Sequence, residues 1–131
     1  MPKIVFTNGC FDIIHIGHIE LLKFCKTLGD TVVVGLNSDD SVRRLKGFTR
    51  PVNKQEARRG ILEAIKYVDC VFIFDEDTPY NLIKKVRPDI IVKGGDYKKE
   101  DVIGADLCDV KIFNFVHGYS TTKIIKNISN R

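Results

Sequence analysis

Residues 3–18 read KIVFTNGCFDIIHIGH, which is a short apolar run, a turn and the start of a helix. The β-branched and aromatic residues at 3–7 predict a first strand, and Asn8-Gly9 predicts its end. Apolar residues recur at helical spacing from 17 to 28, and Gly29 predicts the end of that helix. The first unit of the chain is therefore strand, turn, helix.

The same order continues along the rest of the chain. Residues 31–36 form a continuous apolar run, which is typical of a strand buried on both faces of a parallel sheet. Further strands are predicted at 71–74, 90–92 and 110–116, and further helices at 41–45, 54–68, 78–86 and 120–128. In the last helix, Ile124, Ile125 and Ile128 are expected to face the core.

This order predicts one α/β domain over residues 1–131, built on a doubly wound parallel sheet, because parallel neighbours need long crossover connections. In such sheets, ligands bind beyond the carboxyl ends of the strands. The polar segments expected there are 8–18, 37–50, 93–97 and 117–122. Residues 37–54 are polar and basic, and they are the longest candidate for a mobile active-site segment.

The composition is that of a folded protein, with 44% hydrophobic and 29% charged residues. The net charge of +4 is spread along the chain, which favours small anionic substrates; nucleic acid is a minor alternative because no nucleic-acid-binding motif is found. The irregular spacing of the four cysteines predicts free thiols in a reducing compartment. No apolar run approaches the roughly 20 residues that cross a bilayer, and the first residues do not resemble a signal peptide. A cytoplasmic protein that binds no membrane is expected.

His15 and His18 stand at the predicted N-terminus of the first helix, where free backbone N–H groups favour an anion. Gly9 and Gly17 would let the backbone approach a ligand closely. The two imidazoles share one helical turn, so both could reach the same phosphoryl group. Two alternatives stay open at this point: the rings only cap the helix and bond locally, or they bind zinc, although the His-Glu-x-x-His spacing is absent.

The stretch TNGCFD at 7–12, together with HIGH at 15–18, resembles the signature of the cytidylyltransferase-like nucleotidyltransferase superfamily. Further stretches resemble one branch of it, the D-glycero-β-D-manno-heptose 1-phosphate adenylyltransferase family. These are LNSD at 36–39, LKG at 45–47, RPVN at 50–53, DTP at 77–79, VKGGDY at 92–97 and GYSTT at 118–122. The resemblance extends from residue 7 to about residue 125. It implies a Rossmann-like nucleotidyltransferase fold and an enzyme that transfers AMP from ATP to a sugar 1-phosphate, releasing pyrophosphate.

The resemblance also implies roles for individual residues. His15 and His18 would contact the triphosphate and stabilise the charge that builds at the α-phosphorus, and Lys46 would neutralise phosphate oxygens of both substrates. The residues expected to bind the nucleotide are Asn8, Gly9, Cys10, Phe11, Gly17, Lys93, Gly95, Asp96, Ser120, Thr121 and Thr122. Those expected to bind the sugar phosphate are Asp12, Asp39, Arg50 and Arg58. Many superfamily members carry a basic residue at or just before the Ser-Thr-Thr motif, where this chain has Tyr119.

The reaction expected from these residues is direct in-line attack of the sugar phosphate on the α-phosphorus, without a covalent enzyme intermediate. Mg²⁺ is expected to bind mainly through the nucleotide phosphates, so no protein metal site is predicted. One alternative is a cytidylyltransferase acting on glycerol 3-phosphate or another polyol phosphate. Another is a nucleotide-binding module without turnover. The expected partners are a second copy of the chain, as a homodimer, and a separate sugar kinase that supplies the 1-phosphate.

Overall fold

The computed structural model describes residues 2–114 and 120–130. The strands in these residues are β1 (Ile4–Gly9), β2 (Thr31–Asn37), β3 (Cys70–Phe74), β4 (Ile90–Gly94) and β5 (Asp109–Phe113). The helices are α1 (Ile16–Leu28), α2 (Asp39–Lys46), α3 (Gln55–Glu63), α4 (Tyr80–Val86) and α5 (Thr121–Ser129). A short 3₁₀ helix, Lys99–Asp101, lies between β4 and β5.

The five strands form one parallel sheet in the order β3-β2-β1-β4-β5. Val5 of β1 is paired with Val32 of β2 on one side and with Ile90 of β4 on the other. The chain winds outward from β1 in both directions, so the strand order reverses between β1 and β4. Loops on the two sides of this point diverge to opposite faces, which opens a crevice at the carboxyl ends. The predicted doubly wound parallel sheet is confirmed.

The sheet carries a separate apolar cluster on each face, because successive side chains of a strand point in opposite directions. Val5 packs in one cluster with α1, and its neighbour Phe6 packs in the other with Ile83 of α4. Leu22 of α1 and Leu62 of α3 belong to the first cluster and are completely buried. The face that holds α1 and α3 is called the α1 face below, and the opposite one the α4 face.

Several element bounds differ from the sequence prediction. β1 continues through Gly9, since Asn8 and Gly9 pair with Gly35 and Leu36 of β2. The helix predicted at 54–68 ends at Glu63. The apolar residues that follow lie in turns and pack against the cluster on the α1 face, which explains why the apolar pattern extends beyond the helix. Residues 95–108, for which no element was predicted, contain the 3₁₀ helix and a series of turns. Residues 115 and 116 of the predicted last strand lie outside the described residues.

The expectation that α5 buries an apolar face is wrong in one respect. Ile128 is 63% exposed, and Ile124 and Ile125 are only partly buried. α5 follows the edge strand β5, and its first residue, Thr121, donates a hydrogen bond to the carbonyl of Asp12. The helix is therefore attached to the domain near its first turn, while its later turns lie open. No helix in the described part of the chain is long and apolar enough to cross a membrane.

Gly104 and Gly60 provide a matched pair for testing how tightly the α4 face is packed. A Cβ atom at Gly104 would lie 2.6 Å from Ile91 Cδ1 and 3.0 Å from Ile83 Cδ1, and the residue has φ +94°. Gly60 lies in α3, and a Cβ there meets no atom within 4 Å. We expect Gly104→Ala to lower the free energy of unfolding by about 2–4 kcal/mol. Gly60→Ala should raise it by about 0.5–1 kcal/mol. Urea denaturation followed by circular dichroism measures both, and a neutral Gly104→Ala would contradict this packing.

Candidate active site

A cavity of about 640 Å³ lies at the carboxyl ends of β1, β2 and β4. Thirteen of the residues predicted for the site line it: Asn8, Gly9, Cys10, Phe11, Asp12, His15, His18, Lys46, Arg50, Lys93, Ser120, Thr121 and Thr122. These residues come from segments that are far apart in sequence. The parallel sheet brings them together because all of its carboxyl ends meet at one edge.

His15 and His18 form the start of α1 and also face the cavity. Nδ1 of His15 accepts a hydrogen bond from the backbone N–H of Gly17 at 3.0 Å, and Nδ1 of His18 accepts from the N–H of His15 at 3.1 Å. The ring centroids are 3.9 Å apart. Because Nδ1 of each ring is an acceptor, the neutral ring carries its proton on Nε2. The rings therefore cap the helix through one nitrogen and keep an N–H donor on the other.

Burial keeps both rings neutral. Burial, together with the smaller effect of the neighbouring His15, lowers the pKa of His18 to about 4. Burial also lowers the pKa of His15. At neutral pH, the pair thus offers N–H donors without carrying a full positive charge.

Asp12 is buried, with 1% of its surface exposed, and its carboxylate faces the loop that follows α2. It accepts hydrogen bonds from the backbone N–H groups of Val52 at 2.6 Å and Asn53 at 2.9 Å. Nε of Arg50 lies 3.4 Å away in an ion pair. The resemblance implies that Asp12 binds the sugar phosphate, but a carboxylate would repel the phosphate group. The observed geometry is that of an anchor for residues 50–53.

Arg58 differs most from its expected role. The side chain is fully buried in α3 and donates to the carbonyl oxygens of Cys10, Asn37 and Asn53 at 2.8–2.9 Å. It also forms an ion pair with Asp39 at 2.8 Å. Neither Arg58 nor Asp39 lines the cavity. Arg58 and Asp39 therefore have a structural role instead of the expected contact with the sugar phosphate. They form an ion pair with each other, and Arg58 has no exposed surface.

The predicted mobile segment divides into a fixed part and an exposed part. Residues 44–49 are exposed, including Lys46 at the end of α2 and Phe48, which is 94% exposed. Gly47 has φ +102°, a conformation that glycine adopts without strain. Residues 50–53, in contrast, are held by Asp12 and Arg58. The exposed tip carries Lys46 to the mouth of the cavity.

Lys93 reaches the cavity from the end of β4. Its Nζ lies 5.1 Å from the centroid of the Tyr97 ring, a cation–π contact. Burial lowers the pKa of Lys93, and the positive charge of Lys46 lowers it further. Within the described residues, no carboxylate forms an ion pair with Lys93. Two positive groups thus face one cavity, an arrangement that favours an anionic ligand between them.

The start of α5 contributes Ser120, Thr121 and Thr122. The Ser120 hydroxyl caps the helix by accepting from the N–H of Lys123 at 3.0 Å, and Thr121 is bonded to Asp12. Thr122 Oγ1 accepts from Arg50 Nη1 at 3.5 Å. The Ser120 hydroxyl is therefore an N-cap, and the Thr121 hydroxyl attaches the helix to the loop before α1. All three residues also line the cavity. The neighbouring residues 117–119 of the predicted motif lie outside the described residues.

Three residues of the predicted nucleotide site do not line the cavity: Gly17, Gly95 and Asp96. Gly17 is buried in the first turn of α1, and the N–H of Gly95 donates to the carbonyl of Phe113 at 2.9 Å. Both glycines are therefore part of the backbone that supports the cavity and do not line it. Asp96 is exposed outside the cavity.

The cavity has further lining residues for which the sequence predicts no role: Asn37, Leu45, Asp77, Thr78, Pro79, Tyr97, Asp101, Val102 and Ile103. Asn37, Asp77 and Tyr97 follow predicted strands, so their positions at the carboxyl edge were available as a signal. Residues 101–103 had no such signal, because they lie within an irregular segment.

A metal ion held by the protein itself would require several ligating side chains close together. Within residues 2–114 and 120–130, no group of three His, Cys, Asp or Glu side chains could hold a metal ion. The buried carboxylate of Asp12 is already occupied by backbone N–H groups. Mg²⁺ bound mainly through phosphate oxygens and water needs no such protein cage.

Comparison with known proteins agrees with the fold. The family model of cytidylyltransferase-like proteins matches residues 6–127. The bifunctional protein HldE of Campylobacter concisus is 56% identical over 98% of this chain, and that of Wolinella succinogenes is 54% identical over 96%. The chain spans only 27% of the length of these two relatives. The crystal structure of the lipopolysaccharide core biosynthesis protein from Thermoplasma volcanium GSS1 superposes with a TM-score of 0.75 at 29% identity, covering 88% of this chain and 98% of that one. This chain belongs to the cytidylyltransferase-like family.

Proposed function

We propose that this chain is a nucleotidyltransferase that transfers AMP from ATP to a sugar 1-phosphate, namely D-glycero-β-D-manno-heptose 1-phosphate, and releases pyrophosphate. The observation that carries the proposal is the convergence of two neutral imidazoles, Lys46, Lys93 and the start of α5 on one cavity. The similarity to bifunctional HldE proteins and to a lipopolysaccharide core biosynthesis protein supports a sugar phosphate as the acceptor.

The nucleotide is held by its phosphates in this proposal. Nε2–H of His15 and of His18 donates to oxygens of the triphosphate, and the positive end of the α1 helix dipole adds a partial positive charge. The start of α5 lines the cavity with Ser120, Thr121 and Thr122. Donors fixed by the capping hydrogen bonds need no reorganisation as charge builds at the α-phosphorus, so they lower the barrier.

The acceptor phosphate is positioned by cations. Lys46 and Lys93 attract its oxygens, and Arg50 lines the same cavity with 13% of its side chain exposed. A phosphate oxygen is already anionic at neutral pH, so attack on the α-phosphorus needs no strong general base. Mg²⁺ bound to the nucleotide phosphates would supply further charge neutralisation as pyrophosphate leaves. The protein contributes by positioning the two substrates and by neutralising the charge of their phosphates.

The setting of the activity follows from its substrates. ATP is a cytoplasmic metabolite, and we propose that the chain acts in that compartment. A separate sugar kinase would supply the 1-phosphate. The homodimer expected from the resemblance stays a prediction.

Substrate profiling tests the function. Pyrophosphate release is measured with ATP, CTP, GTP and UTP against heptose 1-phosphate, glucose 1-phosphate and glycerol 3-phosphate. We expect the highest kcat/KM with ATP and the heptose 1-phosphate. Turnover restricted to CTP and glycerol 3-phosphate would replace the proposal with a cytidylyltransferase, and nucleotide binding without any turnover would replace it with a binding module.

His18→Ala tests the imidazole pair. Loss of one fixed donor to the transition state should lower kcat by about 100- to 1,000-fold. The fold should persist with a loss of about 1 kcal/mol, because the variant removes one capping hydrogen bond. Lys23→Ala, on the exposed side of the same helix, is the control and should keep full activity. Near-normal turnover of a folded His18→Ala protein would remove His18 from the mechanism.

The lowered pKa of His18 predicts a pH effect on stability. The unfolded chain takes up a proton at this ring as the pH falls below 6.5, whereas the folded protein resists until about pH 4. The stabilising contribution is therefore complete above pH 6.5 and lost on approach to pH 4, and amounts to at most about 3 kcal/mol. We expect His18→Gln to lose less unfolding free energy than the parent protein between pH 7 and 4.5. Equal losses in urea titrations would show that the ring titrates normally.

A further inference from the structure

The cavity has two walls that belong to opposite faces of the sheet. Phe11 packs in the α1-face cluster, and Thr121 at the start of α5 donates a hydrogen bond to the carbonyl of the next residue, Asp12. The histidines and the start of α5 therefore form the wall on that side. Val102 packs with Ile83 in the α4-face cluster, so the other wall is built from the α4 face. We name as the α4-side wall the residues Thr78, Pro79, Tyr97, Asp101 and Ile103.

The α4-side wall differs chemically from the rest of the cavity. Tyr97 is 51% exposed and Ile103 is 43% exposed, so large apolar surfaces face a cavity whose other groups are mainly charged or polar. Lys93 Nζ lies over the Tyr97 ring at 5.1 Å from its centroid, so the ring lies next to a cation of the cavity. Asp101 adds a carboxylate beside these apolar groups. Exposed apolar surface next to a few polar acceptors is typical of a small-molecule site rather than of a phosphate site.

The geometry of in-line transfer assigns this wall to one substrate. The attacking oxygen and the leaving pyrophosphate lie on opposite sides of the α-phosphorus. In the proposed function, the triphosphate lies against the histidines and the start of α5, which is the wall of the α1 face. The acceptor must then approach from the α4 face, with its phosphate between Lys46 and Lys93.

We propose that the α4-side wall binds the sugar of the acceptor, an inference that rests on the proposed transferase function. The Tyr97 ring lies under the apolar C–H face of the sugar, and Ile103 extends that surface. Asp101 accepts hydrogen bonds from sugar hydroxyls. A carboxylate and an aromatic ring suit a neutral polyhydroxylated ring, whereas a second phosphate would be repelled by Asp101. Tyr97 and Asp101 thus decide which sugar phosphates are used.

Calorimetric binding of ADP and of ADP-D-glycero-β-D-manno-heptose tests the sugar contact, because the two ligands differ by the heptose and by one charge on the terminal phosphate, and the charge difference is the same for every variant. We expect Tyr97→Leu to reduce the ratio of the ADP Kd to the ADP-heptose Kd by roughly five- to tenfold, with ADP affinity within about twofold of the parent. Tyr97→Phe should keep the ratio, since the ring remains. Asp101→Asn should lower the ratio without changing ADP affinity.

Tyr80→Leu is the matched control. Tyr80 also carries a lysine against its ring, with Lys84 Nζ at 5.7 Å, but it does not line the cavity. The Tyr80→Leu variant should have the same ratio of the ADP Kd to the ADP-heptose Kd as the parent protein. Equal weakening of both ligands in Tyr97→Leu would overturn the proposal by placing Tyr97 against the nucleoside, as would an unchanged ratio in a folded variant. Failure of the proposed function is a separate result, namely no transfer by the parent protein with any substrate pair.

Discussion

Two buried charged side chains, Asp12 and Arg58, hold together the segments on which the site depends. Transfer of a charge into a protein interior is costly unless hydrogen-bond partners replace water. Both side chains have these partners mainly in the backbone, and the partners lie in loops at the carboxyl ends of β1 and β2 and at 50–53. The loops are therefore held where they satisfy the two charges, and any other arrangement would leave a charge unpaired.

This constraint explains how a small domain holds the proposed phosphate site in place before a ligand arrives. Arg58 fixes the carbonyl groups of Cys10 and Asn37, which flank the cavity. The carbonyl of Asp12 receives Thr121, so the start of α5 is joined to the loop before α1. Lys46, in contrast, lies in the exposed segment 44–49, between segments that Arg58 and Asp12 hold in place. Rigid donors with one adaptable cation suit charge stabilisation during transfer.

The histidine pair shows that a structural and a functional interpretation are compatible. Nδ1 of each ring completes the capping of α1, which sequence reasoning considered as an alternative to function. That same contact fixes the tautomer and leaves Nε2 as the donor. Burial keeps the pKa of each ring low, so the donor stays neutral at neutral pH. Helix capping thus orients the groups to which we assign catalysis.

The order of strands and helices, the parallel sheet and the place of His15 and His18 could be predicted from the sequence, because hydrophobic periodicity and turn residues are local signals. The burial of Arg58, the exposure of Ile128 and the position of Tyr97 at the cavity depend on contacts between distant segments. Periodicity shows that a residue has an apolar or polar neighbourhood on its own element, but it does not identify the distant segment that packs there. An arginine in α3 has the same local pattern whether it meets a substrate phosphate or three backbone carbonyls, and long-range packing makes that choice.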